Sequence, residues 1–264
     1  MSFFNKLVRG STARQKFTPV GKAGARAYAI GDIHGCLDLL DELLERIEQD
    51  NRGRPAKRTY IAFLGDLIDR GPASAGVVER LRNYRPDFAT PVFISGNHEE
   101  VMLRVLHGEA DILADWLKFG GAECLESYGI DVAALKRVEP EEALRRIRAQ
   151  LPKAHVEFLE GFNDTFRFGD YVFVHAGIRP GIDLDHQDQY DLRWIREPFL
   201  SDREQHGFVI VHGHTICDEV EERPNRIGLD TGAYRNGVLT ALGIEDGVRW
   251  YLSTRRDGEG LSEG

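Results

Sequence analysis

Residues 60–74 read YIAFLGDLIDRGPAS. An apolar and aromatic run fit for a buried strand stops at Gly65, and Asp66, Asp69 and Arg70 follow at once, before Gly71-Pro72. Desolvating charge is expensive, so two carboxylates and a guanidinium at the end of a buried strand call for a reason. A surface turn accounts for Gly71-Pro72 and one aspartate. It leaves the other two charges unexplained.

The flanking sequence repeats the pattern. Residues 25–30, ARAYAI, read as a strand, followed by GDIHGC and a helix with Leu37, Leu40, Leu43, Leu44 and Ile47 at helical spacing. Residues 58–64 give the second strand, then GDLIDRGP and a helix over about 73–83. Residues 90–95, TPVFIS, give a third, then GNHE and a helix carrying Val101, Met102, Val105 and Leu106. Strand, polar loop and helix in succession predict βαβ units with a largely parallel sheet, whose ligands bind beyond the carboxyl ends of the strands. Residues 110–160 change character and read as a helical insertion or cap, with helical spacing over about 133–149. Strand signals return at 164–175, 207–212, 226–230, 237–244 and 248–253. Their alternation and tight Gly or Asp-Gly turns predict added antiparallel structure.

Composition narrows the function classes. The 264 residues, 42% hydrophobic and 29% charged, suit a soluble globular protein with a substantial core. A net charge of −9 argues against a nucleic-acid-coating role. Cys36, Cys124 and Cys217 are widely spaced, which predicts a reducing, cytoplasmic setting with neither a disulfide framework nor a thiolate zinc site. No apolar run reaches the roughly 18 residues of a membrane span. Residues 1–24 read as a basic flexible arm and 256–264 as a flexible tail, around one domain at 25–255. No feature specifies an oligomeric state.

The strand ends carry the chemistry: Asp32 and His34; Asp66, Asp69 and Arg70; Asn97 and His98; His175 in VFVHAG; His212 and His214 in VIVHGHT. Any one alone fits a helix cap or a structural histidine. Five of the nine histidines sit in these motifs beside carboxylates, and together they point to a metal site. Carboxylate, imidazole and amide donors without thiolate suit Mn²⁺, with Fe or Zn²⁺ as alternatives. So many donors exceed one ion's needs, which predicts two divalent ions sharing a carboxylate and a water. Two ligand aspartates against two such ions leave about +2, a field suited to a phosphate dianion.

GDIHG, GDLIDRG, GNHE, HAG and GHT in this order resemble the metallophosphatase superfamily, and within it the bacterial and phage phosphoprotein phosphatases. The resemblance spans about residues 27–245. It implies a calcineurin-like metallophosphoesterase fold, a β-sandwich flanked by helices with a helical cap. It also implies that Asp32, His34 and Asp66 hold one metal, and that Asp66 bridges to a second held by Asn97, His175 and His214. His212 matches no ligand position. His98 then protonates the leaving group, supported by Asp69, while Arg70 clamps phosphate and Asn97 helps to bind it. Of Arg193 and Arg196 in LRWIREPF, the Trp-x-Arg pattern selects Arg196 as the second phosphate arginine; a pair with Glu197 or another surface acid is the competing account.

The resemblance implies hydrolysis of phosphomonoesters by in-line attack of a metal-bridging hydroxide. The substrates it implies are phosphoserine or phosphothreonine proteins, phosphotyrosine proteins, or small phosphoesters, with no membrane insertion. A symmetrical dinucleoside tetraphosphate hydrolase is the alternative; DRG at Asp69 and GNHE at Glu99 favour the phosphatase. An inactive scaffold of the same fold is a second alternative. Substrate choice falls to the cap, where WLKFGGAECLESYGI reads as a helix end with Trp116, Leu117 and Leu125 in the core. His107, His155, His186 and His206 fall outside the motifs and suit surface or structural roles.

Overall fold

In residues 25–30 the side chains alternate small and large, and that alternation sets the first sheet between two different neighbours. Ala27 and Ala29 face a second sheet, whereas Tyr28 and Ile30 face helices. A computed structural model describes residues 17–256, so the expectations for residues 1–16 and 257–264 lie outside the described residues. Strand β1 (Ala25–Ile30) pairs parallel with β2 (Arg58–Phe63), and β2 pairs parallel with β3 (Ala89–Phe93). On its other side β1 pairs antiparallel with β9 (Val238–Glu245), and β10 (Val248–Arg255) closes that edge.

The second sheet holds β4 (Thr165–Phe168), β5 (Tyr171–Val174), β6 (Val209–His212), β7 (Glu221–Glu222) and β8 (Arg226–Gly228), in the order β4-β5-β6-β8-β7. It packs on the first through Ala27, Ala29, Ala62, Phe173, Val211 and Ile227. The fold is α/β, two mixed sheets flanked by helices. Antiparallel pairing holds for β4–β5, β7–β8 and β9–β10, but β5–β6 and β6–β8 are parallel. Turn residues reveal only partners next to each other in sequence. A pairing across a long connection such as 175–208 is set by tertiary packing.

Helix α1 (Leu37–Arg52) buries Leu39, Leu40, Leu43, Leu44 and Ile47 against the first sheet, at about 1.5–3 kcal/mol each. Helices α2 (Ser74–Arg82) and α3 (Asn97–His107) follow β2 and β3. The cap contains α4 (Leu113–Trp116), a wide π-type turn at Leu117–Gly121, α5 (Ala122–Ser127), α6 (Val132–Leu135), α7 (Pro140–Gln150) and α8 (Lys153–Glu160). The periodicity over 133–149 is therefore two helices. Pro140 fixes its own φ, holds Glu139 extended at ψ 149° and starts α7 afresh.

Phe93 anchors the cap, stacking on Phe63 at 4.9 Å and Phe162 at 5.3 Å. His155 adds a polar pin, meeting the Glu79 carboxylate at 2.8 Å and the Tyr128 hydroxyl at 3.0 Å. The short helices α9 (Gln189–Trp194) and α10 (Ala233–Asn236) complete the set. In the arm, residues 17–24 lie against the sheets: Val20 N–H donates to the Asp170 carboxylate and Gly21 N–H to the Asp246 carbonyl. Among the described residues no helix is long and apolar enough to cross a membrane.

Candidate metal centre

The loops that leave β1, β2, β3, β5, β6 and β8 meet at one place. His34 N–H donates to the Asp66 carbonyl at 2.8 Å, Gly213 N–H to the His175 carbonyl at 2.8 Å, and His214 N–H to the Asp32 carboxylate at 3.0 Å. The approach is close enough to exclude side chains: a Cβ on Gly96 would strike the backbone and carboxylate of Asp66. Among the described residues six non-glycine residues have positive φ, and five of them are His34, Asp66, Asp69, Arg70 and His214. Left-handed backbone costs such residues of order 1 kcal/mol each and persists where the surroundings over-determine it.

The sequence candidates converge there. His34, Asp66 and His98 form one buried triad, and Asp66, His175 and His214 a second, with donor atoms in each within 4.8 Å of one another. Asp66 belongs to both. Carbonyl groups fix two of the rings: His34 Nδ1–H donates to Ile68 O and His175 Nδ1–H to Leu64 O, both at 2.8 Å. Each Nε2 is left with a lone pair turned inward. His175 Nε2 lies 3.0 Å from Asn97 Oδ1 and 3.4 Å from Asp66 Oδ1, so acceptors face acceptors. Asn97 Oδ1 is also 2.8 Å from His214 Nδ1, and His214 Nε2 is buried without a partner.

Electrostatics favours cations here. Burial pushes His34 down to about 3 and His214 to about 2, and lowers His175, so the rings are neutral and available as ligands. Burial works against charge on Asp66, but His175, His98 and His34 around it more than offset that and hold it far below the usual carboxylate range. Asp32 stands beside the triads, pushed well up by burial and by Asp230 and Asp66. Arg70 already puts a cation against these donors, its Nη1 donating to His34 Nε2 at 2.7 Å. Inward lone pairs, crowded carboxylates and a stand-in guanidinium fit two divalent ions sharing Asp66.

His98 faces this cluster with Nε2 3.9 Å from Asp66 Oδ2 and gives its Nδ1–H to Asp69 Oδ2 at 2.6 Å. Burial opposes its charge, yet Asp66 and Asp69 raise it overall. Arg196 is exposed beside the cluster and makes no ion pair among the described residues. Arg193 is held by Asp164 and Glu100. The competing account of Arg196, a pair with Glu197 or another surface acid, finds no such pair among the described residues.

Residues 25–238 match the model of the calcineurin-like phosphoesterase family. The chain belongs to that family. This calcineurin-like phosphoesterase is 28% identical to the asymmetrical bis(5′-nucleosyl)-tetraphosphatase of Halalkalibacterium halodurans, over 81% of the chain and 87% of that protein. It is 26% identical to the symmetrical bis(5′-nucleosyl)-tetraphosphatase of Nitrosospira multiformis, over 83% and 92%. A crystal structure assigned provisionally as a diadenosine tetraphosphatase superposes with a TM-score of 0.63 at 19% identity, covering 91% of this chain and all of that one. The calcineurin-like phosphoesterase is thus a metal-dependent phosphoric ester hydrolase. Its curated relatives favour the dinucleotide alternative over the phosphoprotein substrate that the motifs implied.

The two residues that favoured the phosphatase in the sequence, Asp69 and Glu99, both face inward. Asp69 holds His98, and Glu99 accepts the backbone N–H groups of Asp66, Leu67 and Gly96 at 2.8–2.9 Å. Neither senses the outer part of a substrate. In this calcineurin-like phosphoesterase three contributors went unread in the sequence. Glu99 scaffolds the Asp66 loop, and its place three residues after Gly96 in a capping box was the available signal. Asp230 is buried against Asp32, with Oδ2 unpartnered. Trp116, read as core, donates its Nε1–H to Asp69 Oδ2 at 2.9 Å; no local signal marks either of these last two. His212 packs on Phe199 and stands outside both triads.

Proposed function

We propose that the protein hydrolyses dinucleoside polyphosphates of the bis(5′-nucleosyl)-tetraphosphate type at two divalent ions, with Mn²⁺ the best fit to its donors. The supporting observation is a pair of cavities meeting at Arg70. One, of about 470 Å³, runs from Asn97, His98 and His214 to walls of Ile112, Trp116, Phe119 and Trp194, with Arg196 at its side. The other, of about 370 Å³, is lined by Lys118, Phe119, Gly120 and Tyr234, and Arg70 and Phe119 belong to both. A phosphate-centred cluster with aromatic surfaces on two sides suits a polyphosphate carrying a flat base at each end. Stacking of a base on an aromatic side chain is worth about 1–3 kcal/mol. The curated relatives act on this substrate class.

Bound at Asp32, His34, Asp66, Asn97, His175 and His214, the metal pair supplies Lewis-acid charge neutralisation and acidifies water. Arg70 and Arg196 bind phosphoryl oxygens, Arg70 steered by the Tyr234 ring 4.9 Å away. His98 gives a proton to the leaving oxygen while Asp69 holds its other N–H.

One observation favours phosphomonoesters as a second reading. The His98–Asp69 pair matters most for a basic alkoxide leaving group, and a nucleotide leaves as a weakly basic phosphate. The deciding experiment compares diadenosine tetraphosphate with a phosphoserine peptide, using enzyme stripped of metal and reloaded with Mn²⁺, and Asp66→Asn as control. Preferred turnover of the dinucleotide, lost in the variant, is expected. Preferred turnover of the peptide would overturn the proposal.

A further inference from the structure

Asp69 Oδ2 accepts two donors from opposite sides, His98 Nδ1–H at 2.6 Å and Trp116 Nε1–H at 2.9 Å. The first comes from the core helix α3, the second from the cap. Asp69 and Trp116 are both buried, and Asp69 Oδ1 has no hydrogen-bond partner. The indole and the His98 ring are the two ring N–H donors that hold this carboxylate among the described residues.

The backbone locks the same contact. Arg70 N–H donates to the Gly120 carbonyl at 3.1 Å, across the π-type turn at Leu117–Gly121. Gly120 has φ 116°, and a Cβ there would meet Arg70 N at 2.6 Å; one on Gly121 would meet the Trp116 indole at 2.6 Å. Two successive glycines thus let the cap close onto the Asp69–Arg70 turn with the indole aimed at the carboxylate. A core tryptophan needs only apolar contact; one whose N–H reaches the carboxylate behind a candidate proton donor can do more.

We propose that Trp116 is a positioning residue for proton transfer: it orients Asp69, and through Asp69 fixes the tautomer and direction of His98. The proposal rests on the reading of His98 as the acid. In the step concerned, water oxygen bonds to phosphorus, and the phosphorus–oxygen bond to the leaving group breaks. The leaving oxygen takes the proton from His98 Nε2. Water releases one proton to solvent, and solvent later returns one to His98.

The test compares Trp116→Phe, Asp69→Asn, His98→Asn and the Trp116→Phe/Asp69→Asn double variant on p-nitrophenyl phosphate and phenyl phosphate. p-Nitrophenol leaves readily without a proton, and phenol needs one more. Trp116→Phe is expected to lower kcat on phenyl phosphate roughly tenfold, the scale of one hydrogen bond to a charged group. The loss on p-nitrophenyl phosphate is expected to be far smaller. Adding Trp116→Phe to Asp69→Asn should change little, because the indole acts only through that carboxylate.

A second readout needs no turnover. ¹⁵N shifts of the His98 ring in metal-free protein, followed upward in pH until the ring loses its second proton, should report one neutral tautomer, with the proton on Nδ1, and a mixture in Trp116→Phe. Equal losses on both esters, additive losses in the double variant, or an unchanged tautomer would each overturn the proposal. If His98→Asn itself fails to discriminate the two esters, the assignment of His98 as acid falls instead, and the ring shifts still judge Trp116.

Discussion

His175 Nε2 points at Asn97 Oδ1 from 3.0 Å, while its Nδ1–H is committed to the Leu64 carbonyl. Two acceptors at hydrogen-bond distance inside a buried cluster repel unless a cation joins them. Binding metal should therefore stabilise the fold as well as the chemistry. Stripped protein is expected to unfold at lower temperature than protein in Mn²⁺. The difference should grow with concentration, reaching about 2.7 kcal/mol at roughly a hundred times Kd. Asn97→Ala should remove most of that gain. A melting curve that ignores Mn²⁺ in the parent protein would contradict the assignment.

Metal-free protein should show a defined pH dependence. Asp230 is pushed up to about 6, by burial first and then by Asp66. Its folded value lies above its unfolded one, so the folded state binds the extra proton. That contribution is fully present below the unfolded value of about 4 and is lost as pH rises through about 6. Melting temperature of the stripped protein should fall across this window, and Asp230→Asn should reduce the slope. Metal affinity runs the other way, rising with pH as the proton departs. Calorimetric titration of Mn²⁺ across the window checks both signs.

Glu99 is fully buried and serves three backbone N–H groups. Glu99→Ala strands those donors and should cost about 3 kcal/mol in denaturant unfolding, with weaker metal binding because the Asp66 turn loses its support. Glu99→Gln keeps an acceptor oxygen and should cost less. Equal losses would mean that the charge, and not the hydrogen-bond geometry, is what matters.

Phe119 is 67% exposed and belongs to both cavities. If bases stack there, Phe119→Ala should raise KM for diadenosine tetraphosphate roughly tenfold, with a much smaller change for p-nitrophenyl phosphate. A uniform loss on both substrates would assign the ring to packing.

Much of this architecture is readable along the chain. An apolar run, a polar loop and an amphipathic helix three times over announce the parallel strands β1 to β3. Asp66, His98, His175 and His214 stand out because charged or imidazole groups at strand ends conflict with burial. Trp116 and Asp230 do not stand out, since an indole in an apolar stretch and an Asp-Thr-Gly turn have ordinary local explanations. Their roles exist only once the cap and the closing strand have folded over the first sheet. The parallel pairing of β5, β6 and β8 was hidden for the same reason, as was the pin formed by Glu79, His155 and Tyr128.

The left-handed residues His34, Asp66, Asp69, Arg70 and His214 carry a further consequence. Glycine adopts that backbone without penalty, so at each position a smaller residue relieves strain and erases a donor. A lineage selected for thermal endurance alone would drift toward glycine at these turns and go silent. Engineering this enzyme for heat resistance should therefore leave the five turns untouched and seek its gains in the cap and in helix α1.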